Sequence, residues 1–424
     1  MENDEPGAKR AKHNHHAQDQ CCMDLLLTAM RRHESVAEVQ REACLALRWL
    51  CEDHADNRSR IGAAGGVDAV LTAMRRHESV VEVQREACLA LHWLCEDHPD
   101  NQSRFGAAGG VDAVLTAMRR HESVAKVQIQ ACLALLILSR NHAENQLRIG
   151  AAGGENAVLT AMRRHESVAE VQREACLALR WLCGYQMNQS CIGEAGGLDA
   201  VLTAMRRHES VAEVQEYACA AIHWLCEDHA ENRSRFGAAG GVDAVLTAMR
   251  RHESVAEVQE WACLALRNLS CNHADNRSRI GAAGGVDAVL TAMRRHESVV
   301  EVQREACLAI HWLCEDHAEN QSRFGAAGGV DAVLNAMRRH ESVAKVQEWA
   351  CAALRNLSCD HAENQSRIGA AGGVDAVLNA MRRHESVAEV QEEACAALLD
   401  LSWDHADNQS RIGAAGGVDA VLKK

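Results

Sequence analysis

Aromatic side chains and long apolar runs are both scarce in this sequence of 424 residues. Phe, Trp and Tyr together make up 3% of the chain, so each of the eight tryptophans needs a structural or functional reason. No stretch approaches the roughly 18–20 consecutive apolar residues that span a membrane. The acidic N-terminus, Met1–Glu5, has no apolar run behind it, and residue 2 is Glu. We therefore expect no membrane helix, secretory signal or N-myristoyl group.

The cysteines lack the spacings of metal and redox motifs. There are 19, and none form Cys-x-x-Cys, which argues against zinc ribbons and thioredoxin-type chemistry. Recurring pairs such as Cys44 and Cys51 are seven residues apart on one predicted helix. Two helical turns separate them by roughly 10 Å, too far for a disulfide. The pattern predicts reduced thiols in an intracellular compartment.

A repeat of 44 residues dominates the sequence. Met-Arg-Arg-His recurs nine times, starting at Met30, Met74, Met118, Met162, Met205, Met249, Met293, Met337 and Met381. The spacing is 44 residues throughout, except for 43 between Met162 and Met205. Nine near-copies cover residues 21–424, the last of them truncated. Residues 1–20 fall outside the pattern and are predicted to form a disordered polar tail.

One copy of the repeat predicts three helices. Residues 56–64 form a short helix, which Gly65 and Gly66 end because glycine adopts the left-handed turn easily. Residues 67–74 start a second helix with apolar side chains in the i, i+3, i+4, i+7 rhythm. Ser79 is predicted to open a third helix of about 18 residues through a capping box with Glu82.

Three helices in a period of about 40–47 residues are typical of the armadillo and HEAT class. The run Asn-Arg-x-x-Ile-x-x-Ala-Gly-Gly-Val-x-Ala-Val-Leu at Asn276–Leu290 resembles the first two armadillo helices, and Ala-Leu-Arg-Asn-Leu-Ser at Ala265–Ser270 and Ala353–Ser358 resembles the third. Individual copies are also similar to the armadillo segment of leucine-rich-repeat kinases and to vacuolar armadillo scaffolds. Since no kinase signature occurs, the resemblance implies only the repeat module. It implies an all-α fold: a right-handed superhelical solenoid of about nine three-helix armadillo repeats.

The copies differ mainly on one face of the third helix. Residues such as Val39, Gln40, Ala43 and Cys44 have identical equivalents in all nine copies, whereas the differences cluster at the equivalents of 38, 41, 42, 45, 48, 49 and 52. Those steps fall on one helical face. In armadillo proteins the third helices line a concave groove that binds extended partners, so the resemblance implies a ligand surface there. The predicted groove residues are Trp49, Trp93, Trp181, Tyr217, Trp224, Trp261, Asn268, Trp312, Trp349 and Asn356. The alternative is that the tryptophans only cover the edge of the core.

Two features bear on the kind of partner. Asn268 and Asn356 match the family's groove asparagine, which holds the backbone of a bound peptide because its amide both donates and accepts. Seven of the nine copies lack this Asn, and none has a Trp four residues before it, which disfavours a nuclear-import adaptor.

The equivalents of residue 41 are mixed to basic in the first half and mostly acidic in the second, an arrangement also typical of a plain solvated face. They are Arg41, Arg85, Ile129, Arg173, Glu216, Glu260, Arg304, Glu348 and Glu392.

The sequence predicts a binding protein and no enzyme. Every candidate Ser, His or Asp recurs in copy after copy, and catalysis needs one asymmetric constellation, so no catalytic, metal or cofactor site is expected. The net charge of −14 disfavours a general nucleic-acid binder. The predicted function is a non-catalytic scaffold that binds other proteins through extended segments in the cytoplasm. A nuclear location is the alternative suggested by the basic run at residues 9–12. The alternative function is an adaptor-like carrier of a basic cargo peptide.

Two places depart from the regular repeat. Residues 183–188 are one residue short of the usual corner, and Gly184 is predicted to end the third helix early and to disturb the stacking there. The sequence stops within a predicted second helix at Val421 and Leu422, without a polar capping unit. We expect this end to fray or to associate end to end with another copy, unless the chain is one module of a longer protein.

Overall fold

The computed structural model describes residues 23–184 and 186–414, and every regular element within these ranges is an α-helix. The chain divides into two compact units, a first body (Met1–Ala200) and a second body (Val201–Lys424). The predicted tail at residues 1–20 and the predicted frayed end at Val421 and Leu422 lie outside the described residues. The all-α prediction is confirmed.

Each repeat consists of a short helix, a middle helix and a long helix, typically of 9, 11 and 15 residues. We number the repeats by their long helices. In the first body, a helix over 23–32 precedes the first long helix, Ala37–Cys51. The helices of the second to fourth repeats, followed by the short helix of the fifth, are Ala55–Ala63, Gly66–Arg76, Val81–Cys95; Pro99–Ala107, Gly110–Arg120, Ala125–Ser139; Ala143–Ala151, Gly154–Arg164, Ala169–Leu182; and Gln186–Glu194. The division between the two bodies falls within the middle helix of the fifth repeat, Gly197–Arg207.

The second body continues the same order. It contains the fifth long helix, all three helices of the sixth to ninth repeats and one further short helix. Its helices are Ala212–Cys226; Ala230–Ala238, Gly241–Arg251, Ala256–Ser270; Ala274–Ala282, Gly285–Arg295, Val300–Cys314; Ala318–Ala326, Gly329–Arg339, Ala344–Ser358; Ala362–Ala370, Gly373–Arg383, Ala388–Ser402; and Ala406–Ala414.

Backbone conformation sets the helix ends within each repeat. Gly65 has φ +82° and links the short and middle helices, as its lack of a Cβ allows. The next glycine packs so closely that a Cβ on Gly66 would lie 2.3 Å from Cγ2 of Ile61. After the long helix, Asp97 adopts φ +47°, a left-handed turn that Asp and Asn tolerate better than most residues.

The predicted capping box is wrong. The long helix begins at Val81, and its N-cap is Val80 in an extended conformation without a side-chain hydrogen bond. A turn closed by the Val80 N–H and the His77 carbonyl (3.0 Å) leaves Ser79 outside the helix, so the helix has 15 residues and not about 18. The invariant Gln84 instead donates from Nε2 to the carbonyls of Met74 and His77 (both 2.9 Å) at the end of the middle helix, where backbone acceptors lack helical partners.

The core of each body lies between long helices that pack on those of the neighbouring repeats. Its side chains are mainly Leu, Ala, Val and Cys at the invariant positions. Cys44, Cys88 and Cys132 are fully buried, and burial raises the pKa of each thiol. These cysteines therefore stay protonated and pack as small apolar side chains.

Asparagines at the start of the short helices connect adjacent repeats. Asn101 donates from Nδ2 to the Leu94 carbonyl in the preceding long helix (2.7 Å) and to the Arg58 carbonyl in the preceding short helix (3.0 Å). Gly62 makes room for it, because a Cβ there would lie 2.0 Å from Asn101 Oδ1. The same Asn–Gly lock recurs in the second body, for example between Asn320 and Gly281.

The Met-Arg-Arg-His motif also connects repeats. His77 Nε2 lies 2.8 Å from the carbonyl oxygen of Glu34, one repeat earlier. Arg76 pairs with the Glu34 carboxylate at 2.8 Å, while Arg75 reaches forward and donates to the carbonyl of Ala108. Equivalent contacts recur along both bodies. The two arginines of the motif thus join successive repeats.

Neither a metal-ligand group nor a membrane-spanning helix occurs in the described ranges. Neither 23–184 nor 186–414 contains a group of three His, Cys, Asp or Glu side chains placed to hold a metal ion. No helix in these ranges is long and apolar enough to cross a membrane.

Candidate protein-binding surface

Side chains at the equivalents of 41, 42, 45, 48, 49 and 52 form what we call the long-helix surface. Within each body, consecutive long helices pack side by side, so equivalent positions line up from repeat to repeat. One turn separates residues three or four apart on a helix, which brings the six positions to one face. All ten predicted groove residues belong to this set.

The structure divides these ten residues by exposure. Trp49 is 61% exposed, on the first long helix. Seven aromatic residues are half-buried: Trp93, Trp181, Tyr217, Trp224, Trp261, Trp312 and Trp349. Asn268 and Asn356 are buried, at 2% and 7% exposure.

Neighbouring arginines cover two of the tryptophans in the first body. The guanidinium carbon of Arg48 lies 4.8 Å from the centroid of the Trp49 ring, and that of Arg180 lies 5.2 Å from the Trp181 ring. Both distances fall within the range of cation–π contacts. These rings are therefore already seated against a cation of the same helix.

A histidine, two tryptophans and an asparagine form a cluster between the fifth and sixth long helices. His223 meets Trp224 edge-on, with ring centroids 5.2 Å apart, and lies 6.0 Å from the Trp261 ring of the next helix. Asn268 donates from Nδ2 to the His223 carbonyl at 2.7 Å and lies 2.8 Å from His223 Nδ1. Because Asn268 Nδ2 is a hydrogen-bond donor, Nδ1 of the His223 ring must accept from it. The ring therefore carries no proton on Nδ1 and is neutral.

The same cluster forms again two repeats later. The His311 ring lies 5.1 Å from Trp312 and 6.2 Å from Trp349. Asn356 Nδ2 lies 2.9 Å from the His311 carbonyl and 3.0 Å from Nδ1. Burial lowers the pKa of His311 to about 4; the Ala352 carbonyl acts in the opposite direction and nearby arginines add to the lowering. We call the two arrangements the His–Trp–Asn clusters.

The clusters change the role assigned to the two asparagines. Their amide nitrogens hold the preceding repeat, so a peptide backbone would have to displace the histidine to use them. That they bind a peptide remains a prediction. The sequence did contain a signal for the cluster: Asn occurs at the 49-equivalent only where Trp occupies the 42-equivalent of the same helix and His the 48-equivalent of the preceding one.

The first body carries an incomplete version of the cluster. His92 meets Trp93 edge-on at 5.2 Å, but the next long helix has Gln130 and the buried Ile137 in place of Trp and Asn. Sequence reasoning also missed Trp403 and Leu399, which are 63% and 58% exposed at the end of the ninth long helix.

The two bodies differ in the charge of this surface. Its positions hold five acidic residues and six arginines in the first body, but nine acidic residues and three arginines in the second. Burial raises the pKa of Glu260, and the Glu305 carboxylate of the next long helix raises it further, against an opposing effect of Arg304. Uncompensated negative charge on this surface therefore belongs to the second body. Its acidic members are Glu216, Glu227, Glu260, Glu305, Glu315, Glu348, Glu392, Glu393 and Asp400.

The corner after the fourth long helix has lost part of the repeat connection. That helix ends at Leu182 after 14 residues, which confirms the predicted early end. Among the described residues, Asn188 Nδ2 donates only to the Leu182 carbonyl (3.0 Å), without a bond to the preceding short helix. Leu147 replaces the serine that elsewhere meets a histidine of the next repeat, and both Leu147 and Met187 are exposed. The predicted disturbance of stacking stays a prediction.

Repeated three-helix units whose long helices present one variable face define an armadillo-repeat protein. The profile of the LRRK2 ARM repeat family matches residues 2–189, 52–242, 152–331 and 238–420. The chain therefore belongs to the LRRK2 ARM repeat family.

Solved structures agree on the fold. A beta-catenin structure, from work on a phosphorylation switch in its interaction with cadherin, matches with a TM-score of 0.68 at 20% identity, covering 96% of this chain and 82% of that one. Two engineered proteins match with TM-scores of 0.51 and 0.50 at 26% and 20% identity. They cover 58% and 55% of this chain and 96% and 93% of their own. No curated protein matches the sequence significantly.

Proposed function

We propose that this protein is a non-catalytic scaffold that binds extended segments of other proteins along the long-helix surface. One observation carries the proposal: the repeats are nearly identical in the core between long helices and differ along the long-helix surface. Side chains that hold the fold need not vary between copies, whereas a surface that reads a partner must differ along its length. Beta-catenin, which shares the fold, interacts with cadherin.

The half-buried tryptophans suit this role. A ring that is held on one side and open on the other offers large contact area at low entropic cost. The rings of Trp224 and Trp312 are fixed by edge contacts with their neighbouring histidines. A partner would therefore meet a surface that is ordered before binding.

The test combines proximity labelling in the source cell with binding of segments from the labelled proteins. Fluorescence anisotropy would measure each segment against the native chain and a Trp224→Ala, Trp312→Ala variant. We expect the variant to bind at least tenfold more weakly. Ser103→Ala, on the short-helix side, is the control and should leave affinity unchanged. Equal binding by all three proteins would contradict the proposal.

A second candidate is an adaptor-like carrier of a basic cargo peptide. The excess of carboxylates on the surface of the second body favours it, because opposite charge speeds and selects encounter. A pull-down with and without a basic competitor peptide separates the two. A carrier loses its partners to the competitor, whereas a general scaffold keeps most of them.

Two further parts of the proposal concern the setting. We place the protein in the cytoplasm or nucleus, which a fluorescent fusion of the full chain would test. A second copy of the chain is proposed as a partner through the ends of the array. Neither part involves a cofactor or a catalytic step.

A further inference from the structure

The two His–Trp–Asn clusters are copies of one another, 88 residues apart. The duplication extends beyond the aromatic rings to the charged residues around them. The matching pairs are His223 and His311, Trp224 and Trp312, Glu260 and Glu348, Trp261 and Trp349, Arg267 and Arg355, Asn268 and Asn356, and Glu305 and Glu393. Their geometry matches too, with His–Trp centroid distances of 6.0 and 6.2 Å and interplanar angles of 57° and 54°.

Each cluster combines indole rings with carboxylates from two successive long helices. At the first, Arg304 hydrogen-bonds Glu305, which leaves Glu260 without an ion pair to any described residue. At the second, Arg355 pairs with Glu393 at 2.9 Å, and Glu348 pairs with Lys345 of its own helix. A ring face beside an acidic group is the environment that a lysine or arginine side chain prefers.

We infer that the two clusters are equivalent subsites for one basic, extended partner segment, each taking one Arg or Lys side chain against Trp261 or Trp349. This rests on the proposed function and adds the chemistry and spacing of the partner. The excess of acidic residues on this surface of the second body is the complement of such a segment.

The distance between the subsites fixes the spacing of the basic residues. Packed helix axes lie about 8–10 Å apart, so two steps along the long helices span roughly 16–20 Å. An extended chain advances about 3.3 Å per residue. The two cationic side chains of the partner are therefore expected about five or six residues apart.

Two charged positions differ between the copies. Lys345 pairs with Glu348 at 2.8 Å, whereas the matching residue in the first cluster is Glu257, and Arg304 of the first cluster is matched by Glu392 in the second. A partner cation must replace Lys345 at the second subsite. Lys345→Glu should therefore strengthen the second subsite.

The experiment uses the full chain and labelled Gly/Ser peptides that carry two arginines three, six or nine residues apart, with one-arginine and glutamine peptides as references. Anisotropy should show the six-residue spacing binding at least tenfold more tightly than the one-arginine peptide. Trp261→Ala or Trp349→Ala should each remove this gain, and Lys345→Glu should increase it. Ser103→Ala, on the short-helix side, is the control and should change nothing.

A second variant pair guards against misfolding. Glu260→Gln and Glu348→Gln keep the packing and should also remove the gain while circular dichroism stays unchanged. Equal binding at all three spacings, or an equal loss with Ser103→Ala, would overturn the inference. If natural partner segments bind the chain but these peptides show no spacing effect, the scaffold function stands and only the two-subsite inference fails.

Discussion

Single side chains in this protein serve mainly to join one repeat to the next. The Asn at the start of a short helix typically bonds to both the long and the short helix of the preceding repeat, as Asn101 does, and a Gly leaves room for it. The histidines follow the same logic, since each motif histidine meets a carbonyl one repeat earlier. A residue type that could be taken for a metal ligand in the repeated sequence, such as this histidine, is therefore part of the interface between neighbouring repeats.

Asn320→Ala should destabilise the second body strongly. Asn320 is buried and donates to the carbonyls of Arg277 (3.1 Å) and Leu313 (2.8 Å). Removing it leaves two buried acceptors unsatisfied, a loss of roughly 2–4 kcal/mol in the free energy of unfolding. Urea denaturation provides the measurement. Asn188→Ala is the control and should cost about half as much, because Asn188 lacks the bond to the preceding short helix. Equal losses would show that the bond between short helices contributes little.

Mild acid should weaken the His311 cluster. The pKa of this buried histidine is lowered to about 4 from an ordinary 6.5, so below pH 6.5 the unfolded chain takes up a proton that the folded chain refuses. The stability that His311 contributes is complete above pH 6.5 and declines as pH falls toward 4, by up to about 3 kcal/mol.

The check compares melting temperatures at pH 7 and pH 5 in the native chain and in His311→Leu. Leucine is the residue that the third repeat carries at this position, Leu136. The melting temperature of the variant should be lower at pH 7 and should fall less between pH 7 and pH 5, because other titrating groups affect both proteins alike. An identical drop in both would mean that His311 is not responsible.

At the scale of elements, the long helices carry both the core and the candidate surface. Their invariant face packs between repeats, and their variable face carries the aromatic and charged residues. The short and middle helices vary little and hold the register of the stack. Among the described helices, the short helix Gln186–Glu194 departs from the regular pattern, since it follows the shortened corner.

Amides in Gln186–Glu194 should exchange faster with solvent than those in Ala318–Ala326. The first helix lacks the Asn bond to the preceding short helix, whereas the second has it, and local opening follows missing contacts. Hydrogen exchange followed by mass spectrometry measures both. Replacing residues 183–187 with Cys-Glu-Asp-His-Ala-Glu from Cys314–Glu319, together with Leu147→Ser, should slow exchange to the level of the second helix. Equal exchange rates in the two helices before the replacement, or an unchanged rate after it, would contradict this prediction.

Much of the fold could be predicted from the sequence, and the failures have physical causes. The period and the glycines located the helices to within one or two residues, because both reflect backbone geometry directly. The prediction of a capping box at Ser79 was wrong because a turn after His77 makes the helix start later. No residue type in the sequence indicates this turn. Asn268 and Asn356 were placed on the right face, but their burial depends on a histidine 45 residues earlier, which a single-helix pattern does not contain.

At the scale of the molecule, the described array ends with apolar side chains that interior repeats cover. Within the second body, a residue at the 48-equivalent meets the 42- and 49-equivalents of the next repeat, as His223 does. Leu399 occupies that position in the ninth repeat and is 58% exposed, and Trp403 beside it is 63% exposed. Trp49, on the first long helix, is likewise exposed.

We therefore predict concentration-dependent association of the chain from head to tail. Leu399 and Trp403 of one copy would meet Trp49 of another, and such a contact does not close on itself, so it builds chains of copies. Sedimentation velocity between low and high micromolar concentration measures this. Leu399→Glu with Trp403→Ser should keep the protein monomeric, whereas Leu147→Ser, elsewhere on the surface, should not. A native chain that stays monomeric throughout would contradict the prediction.

The Asn–Gly lock also governs how the protein responds to tension. Similar hydrogen bonds connect each repeat to the next, so a force applied to the two ends acts on a series of connections of nearly equal strength. The connection around Asn188 has fewer bonds and should yield at the lowest force. Every later event should then release one repeat of 44 residues, a gain in contour length of roughly 160 Å, so that the molecule lengthens in even steps under load.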